Sequence, residues 1–403
     1  MKLNHVIVIS LIAVVILSGC TKMDDGYKNN SDSVSKQGSI FSNIFKNSEN
    51  IGCSGSGSVM FKTSPMNLED VSMILPMGLM IGGHVTPIDH MYFSPINFQS
   101  APDTYDVYSI GKGVITQIGL EGPPVEPNVK VSNKYRLVIY YTCDFYAIYN
   151  LITSLSPRIL SITDEIAPRS NIGTNIQVED GELLGKIGGQ TLDLSVNDDN
   201  VILKGFIVPE HYQRESWKIH TVDPLDYFTE PLRTQMLAKD LRQVEPRGGK
   251  IDFDIDGKLV GNWFVEGTNG YAGNNPSAYW DTHLSVVYDA IDPSFIVVSL
   301  GKYDGNTAQF GVKRNSPDPA TVDKTSGIVK YELMIYHYFD GNGEMLNGMT
   351  VFKNDLKANV VDVVKGIVLF QLLEDRRLKV ESFPGKTADQ VDGFTSNAVI
   401  YER

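Results

Sequence analysis

What constrains this chain most is its punctuation. From Val59 onward it runs in short bursts of β-branched and aromatic residues, such as 135–141 and 145–151, each closed off by Gly, Pro, Asn or Asp. Bursts of that length suit strands, whose pleated surface accommodates branched and planar side chains, and the interrupting residues suit turns. The pattern predicts an all-β unit over 59–230. Leu232, Met236, Leu237 and Leu241 then recur at helical spacing before Pro246-Arg247-Gly248-Gly249 breaks the chain, so 231–249 is expected to be a helical linker. Beyond it, Ile251-Asp252-Phe253-Asp254-Ile255 alternates into an Asp256-Gly257 turn. With further runs at 284–288, 295–300, 329–339 and 367–372, this predicts a second β-rich unit over 250–403, expected to be sandwich-like.

The first twenty residues bear on where such a chain resides. Lys2 precedes an apolar run over 6–17, broken only by Ser10, which ends in Leu17-Ser18-Gly19-Cys20. A spanning helix needs about 20 apolar residues. A shorter run with small residues leading into a cysteine reads as a lipoprotein signal peptide over 1–20, cut before Cys20 and exchanged for lipid on that residue. The segment 21–58 is rich in Ser, Asn, Lys and Gly and is expected to be a flexible tether. The expected location is thus the extracytoplasmic side of a membrane. Thr21, which is not the Asp of inner-membrane retention, points to the outer membrane if the envelope has two. A formal charge of −13 argues against a nucleic-acid partner, which calls for a basic surface to displace phosphate counterions. With Cys20 lipidated, Cys53 and Cys143 remain in a compartment that permits disulfides, where they either pair or stay as thiols.

The segment from Met77 to Asp198 carries the chemistry. It contains in order Gly83-His84-Val85-Thr86-Pro87-Ile88-Asp89-His90, the strand-like Gly111-Lys112-Gly113-Val114-Ile115, Tyr149-Asn150-Leu151, Gly185-Lys186-Ile187-Gly188-Gly189 and Thr191-Leu192-Asp193. This succession resembles the lysostaphin and LytM type zinc endopeptidases, which cleave peptidoglycan cross-links. The resemblance implies an antiparallel sheet domain of the duplicated hybrid motif type. It also implies a zinc ion held by a His, an Asp and the second His of a His-Leu-His strand, with a metal-bound water as nucleophile.

Carried over by position, the metal set becomes His84, Asp89 and Asp193. Four residues separate His84 from Asp89 where the family usually has three. Thr191 stands at one catalytic His of the family and Asn150 at the other. Two carboxylates and one imidazole would blunt a zinc ion's pull on its water, and neither Thr nor Asn is a general base near neutral pH. His90 follows Asp89 directly. In an extended strand it would face away from Asp89 and take a surface or packing role.

The expectation is an envelope lipoprotein with a non-catalytic peptidase-like module that binds or scaffolds at a cell-wall or surface polymer or an envelope protein. Its alternatives are an active metal-dependent endopeptidase with altered ligands and a glycan-binding or adhesion lipoprotein. Asp252-x-Asp254-x-Asp256-Gly257 imitates the start of a calcium loop, but Trp263 holds the place of the bidentate Glu, so a strand entering a hairpin is expected there. The aromatic stretch 263–280 suits either a glycan-binding loop or the cap of a core.

Overall fold

The computed structural model describes residues 52–121, 133–163, 166–167, 170–346 and 355–403. The expected signal peptide with Cys20 and most of the expected tether lie outside the described residues. The chain is mainly β, built from antiparallel sheets.

The first unit contributes eleven strands among the described residues: β1 Val71–Leu75, β2 Met91–Pro95, β3 Tyr105–Tyr108, β4 Gly113–Leu120, β5 Tyr135–Tyr140, β6 Phe145–Ile152, β7 Ser154–Leu155, β8 Ser170–Val178, β9 Leu183–Ile187, β10 Leu192–Asp198 and β11 Thr221–Val222. The large sheet runs β1-β2-β10-β6-β5-β4-β8, with β11 added to β10, and a small sheet runs β3-β9-β7. Alternation assigns the faces. Leu192, Leu194 and Val196 of β10, Phe145, Ala147 and Tyr149 of β6, and Leu137 and Ile139 of β5 enter one core cluster. Val107, Leu184, Ile187 and Leu155 of the small sheet join the same cluster, so the two sheets pack as layers. The opposite face of the large sheet carries Val138, Tyr140, Tyr146 and Ile148, packed against Trp217. That indole comes from a 3-10 helical segment, Pro209–His220, which roofs this face.

Cys53 and Cys143 form a disulfide. The Cys143 amide donates to Gly55 O at 3.1 Å, the Gly57 amide to Asp144 Oδ1 at 2.7 Å, and Thr142 Oγ1 to Gly57 O at 2.8 Å. Residues 52–58 are therefore fastened to the β5–β6 turn, and the end of the expected tether belongs to the folded body. Composition suggested a free linker because Gly and Ser contribute little packing. Here the covalent bond and the Asp144 carboxylate hold the segment instead.

The expected helical linker is helical over only six residues, α1, Leu232–Leu237. After it the backbone turns to pair with β1: the Ile74 amide donates to Lys239 O at 2.8 Å and the Leu241 amide to Ile74 O at 3.0 Å. Arg242, itself buried, donates to Ala290 O at 2.6 Å, Pro246 O at 2.6 Å and Val244 O at 2.9 Å. The segment is a packed joint, and its apolar spacing fed an inter-unit core rather than a longer helix.

The second unit closes into a barrel of eight strands, a correction to the sandwich-like arrangement expected for it. The strands are β12 Gly261–Val265, β13 His283–Tyr288, β14 Ile296–Tyr303, β15 Asn306–Val312, β16 Val329–Phe339, β17 Lys357–Leu372, β18 Arg377–Pro384 and β19 Val399–Glu402. Each pairs with the next, and β19 returns to β12 through Phe264↔Glu402 and Val265↔Tyr401. Closure removes the exposed strand edges that a sandwich retains. Trp263, Val298, Tyr331, Phe370 and Leu378 are among the apolar side chains that fill the interior. Asp252, Asp254 and Asp256 are each paired with a different cation, Lys250 at 2.5 Å, Arg403 at 3.3 Å and Arg376 at 2.9 Å. The expected strand over 251–255 is not formed: the segment is an irregular connection, and the first strand of the second unit begins at Gly261. The strand-into-hairpin expectation is thereby corrected, with these ion pairs holding the carboxylates instead.

A third apolar cluster joins the units: Met73, Leu75 and Tyr92 of the sheet, Leu241 of the joint, and Ala290, Ile291 and Tyr338 of the barrel.

Candidate functional site

On the outer face of the large sheet lies a cleft of about 280 Å³, lined by sheet, roof and barrel residues together. His84, Asp89, Asn150, Thr191 and Asp193 all line it, so the five positions singled out by motif are neighbours in space. The elements that carry them are a loop and three strands.

His84 closes a tight turn, with reciprocal backbone bonds between Ile81 and His84 at 3.1 and 2.9 Å. Gly83 in that turn faces the Trp280 ring of the second unit, which a Cβ would meet at 3.2 Å. Glycine lets the loop lie flat against the barrel there. Asp89 and His90 sit in a bend just before β2. Because the backbone is bent rather than extended, both side chains enter the cleft, which corrects the surface or packing role expected for His90.

Asp193 lies opposite both Tyr92 and Asn150 in the sheet register. Near Asn150 the β5–β6 ladder shifts register between Tyr135 and Leu137, and Leu151 takes a φ of 68°. That value is sterically costly for a side chain with a Cβ. Gln190 Nε2 donates to Leu151 O at 2.5 Å and steadies it. Bulges of this kind re-aim side chains beside binding sites. This one lies where Asn150 and Arg136 face the cleft.

The polar groups form a chain of contacts. Asp89 Oδ2 accepts from Trp217 Nε1 at 2.9 Å and lies 3.3 Å from Lys218 Nζ, while Oδ1 is 3.1 Å from His90 Nδ1. The other ring nitrogen of His90 is 3.2 Å from Tyr92 Oη and 3.4 Å from Asp193 Oδ2. Thr191 Oγ1 donates to Asp193 Oδ1 at 3.1 Å. Lys218, with 3% of its side chain exposed, also lies 3.8 Å from Glu215 and 5.1 Å from the centre of the Tyr271 ring.

The two buried carboxyls diverge. Burial acts to raise Asp89, but the Lys218 ammonium and His90 outweigh it and hold that carboxyl well below the usual range. Asp193 is pushed well above it, by burial first and then by the Glu121 and Asp89 charges, against which the Thr191 hydrogen bond and Lys134 act.

Zinc needs ligand lone pairs directed at one point. Both Asp89 oxygens face protein donors, and His84 meets His90 edge to face with ring centres 6.0 Å apart. Among the described residues no group of three His, Cys, Asp or Glu is disposed to hold a metal. A metal at His84, Asp89 and Asp193 would have to displace the protein donors that engage Asp89 in this arrangement.

Sequence reasoning missed Arg136, Glu215, Trp217 and Lys218, all of which line the cleft. The aromatic stretch 263–280 gave a partial signal. It divides between roles: Trp263 is in the barrel core, its indole donating to Leu259 O at 2.8 Å, while Tyr271 and Tyr279 reach the cleft. No family model matches the chain, and no curated protein is significantly similar to it.

Proposed function

We propose that this chain is an envelope lipoprotein, lipidated at Cys20, whose first unit is a non-catalytic relative of the lysostaphin type that binds cell-wall material in the cleft. The observation that carries this reading is the state of Asp89. Its carboxylate is engaged by Lys218, Trp217 and His90, so a lysine ammonium balances the charge that a metal would balance in a working peptidase. Thr191, which donates to Asp193, and Asn150 stand at the positions where the resemblance would need a proton acceptor, and neither side chain is one near neutral pH. A cleft with a strained bulge and aromatic walls from two units suits binding. Tyr271 and Tyr279 give the barrel a share in this site, which favours one composite binding surface over a separate glycan site on the second unit.

The test is co-sedimentation of the lipid-free full-length chain with purified cell-wall sacculi. Retention is expected, with a loss of at least about tenfold for Trp217→Ala combined with Tyr279→Ala, since buried aromatic anchors each contribute on the order of 2 kcal/mol. Retention unaffected by that double substitution would remove the cleft from the reading.

A further inference from the structure

Arg136 is the unexplained charge in this molecule. It lies on β5 across from the bulge, on the cleft face, with its guanidinium 4.7 Å from the centre of the Trp217 ring. Its Nε is buried and has no hydrogen-bond partner. Among the described residues no carboxylate lies within 4.0 Å of it in an ion pair, although Glu121, Glu215 and Asp89 act on it from farther away. Burial is the largest influence on the group and depresses its pKa; those three carboxylates oppose the shift without cancelling it. Two other buried cations among the described residues, Lys218 and Arg403, are bonded at short range. Lys218 is 3.3 Å from Asp89, and Arg403 is 3.3 Å from Asp254 and donates to Val260 O at 2.7 Å.

The residue is half-buried, with its Nε sealed from solvent, and a buried donor without an acceptor is a feature that proteins rarely keep without cause. Arginine presents a planar fork matched to a planar, two-oxygen acceptor, and the Trp217 ring holds that fork in a fixed plane. We propose that Arg136 receives the free carboxylate of a peptide chain end, clamped bidentately inside the cleft. This rests on the wall-binding reading and narrows it to a ligand class.

Two observations choose that class. Glu121 and Glu215 flank the guanidinium and lower the local potential, which suits one negative charge and disfavours a doubly charged phosphate. The Pro209–His220 roof and the two tyrosines of the second unit cover the sheet. A cleft of about 280 Å³ under that cover accepts a terminus more readily than the middle of a continuous polymer. Asn150, beside the bulge, and Gln190 supply amide groups for the adjoining peptide unit.

The test is calorimetric titration of the full chain with N-acetyl dialanine, in both enantiomers, against the same compounds amidated at the C-terminus, with inorganic phosphate and an N-acetylated sugar acid as further arms. The free acid of one enantiomer is expected to bind at least tenfold more tightly than its amide, and Arg136→Met is expected to erase that preference. Arg136→Met should also unfold at a higher temperature than the native chain without ligand, because a buried donor without an acceptor is gone, and a purely structural arginine would give the reverse. Equal binding of acid and amide, tighter binding of phosphate or the sugar acid, no binding by any of them, or a lower unfolding temperature for Arg136→Met would each overturn the proposal. Wall retention that persists while acid and amide bind alike would sink this inference alone, and loss of wall retention with dipeptide selectivity intact would sink only the broader reading.

Discussion

The contact between Asp89 and Lys218 sets the character of the cleft, and its strength can be worked out. The two charges are 3.3 Å apart, with 10% and 3% of their side chains exposed. At an effective dielectric constant of about 20, a pair at 3.3 Å attracts with about 5 kcal/mol. Removing one partner of such a buried pair leaves the other uncompensated and costs about 3–5 kcal/mol, whereas removing both spares that penalty. Asp89→Asn keeps an acceptor for Trp217 and should lose about 3 kcal/mol. Lys218→Met should lose a similar amount, including its contact with the Tyr271 ring. The double variant should be less destabilised than the sum of the two by about 2–3 kcal/mol, read from urea unfolding followed by far-ultraviolet circular dichroism. The sign with pH is also fixed. Because Asp89 is depressed in the folded state, its contribution is present above its ordinary pKa of 3.8 and is lost as pH falls below it. Additivity within about 0.5 kcal/mol, or a loss under about 1 kcal/mol for Asp89→Asn, would refute the idea that Lys218 is the charge partner of this carboxylate.

Three further outcomes follow from the same reasoning. Replacing Cys53 and Cys143 by Ser opens a loop with a sequence separation of 90, and chain entropy puts the loss at roughly 4–5 kcal/mol, measurable as a lowered unfolding midpoint. Asp240 is raised to about 7 by burial, against the Arg242 amide and the Arg247 side chain, so it is held protonated in the fold. Its contribution is complete below about pH 4 and drains away as pH climbs to about 7. Asp240→Asn should therefore flatten the fall in thermal midpoint across that window, and an unchanged slope would contradict it. Arg403→Met should cost on the order of 3 kcal/mol, since Asp254 is then left buried without its ion pair; calorimetry of the unfolding transition checks this.

Much of the β architecture was legible because strands announce themselves locally. Residues 145–152 carry the alternation of Phe145, Ala147 and Tyr149 against Tyr146 and Ile148 that the two faces require. Barrel closure was not legible. It depends on Phe264 meeting Glu402, a pairing at long sequence separation that no local pattern encodes. The motif residues of the cleft were singled out by a resemblance to a family's motif order, but their partners were not. Trp217 reaches Asp89 across 128 positions from a 3-10 segment without apolar periodicity. Lys218 beside it reads in sequence as an ordinary surface lysine. His90 was misplaced because the alternation rule was applied to a bend, and Arg136 gives no local signal because an arginine between strand residues usually faces water.

The decisive measurement is release of soluble fragments from cross-linked wall peptides by the lipid-free full-length chain, with zinc supplied and with a chelator added, alongside retention of the protein on the same material. The expected result is binding in both conditions and cleavage in neither, with His84→Ala unchanged in this respect. Cleavage that appears with zinc, disappears with the chelator and is abolished by His84→Ala would contradict the non-catalytic reading.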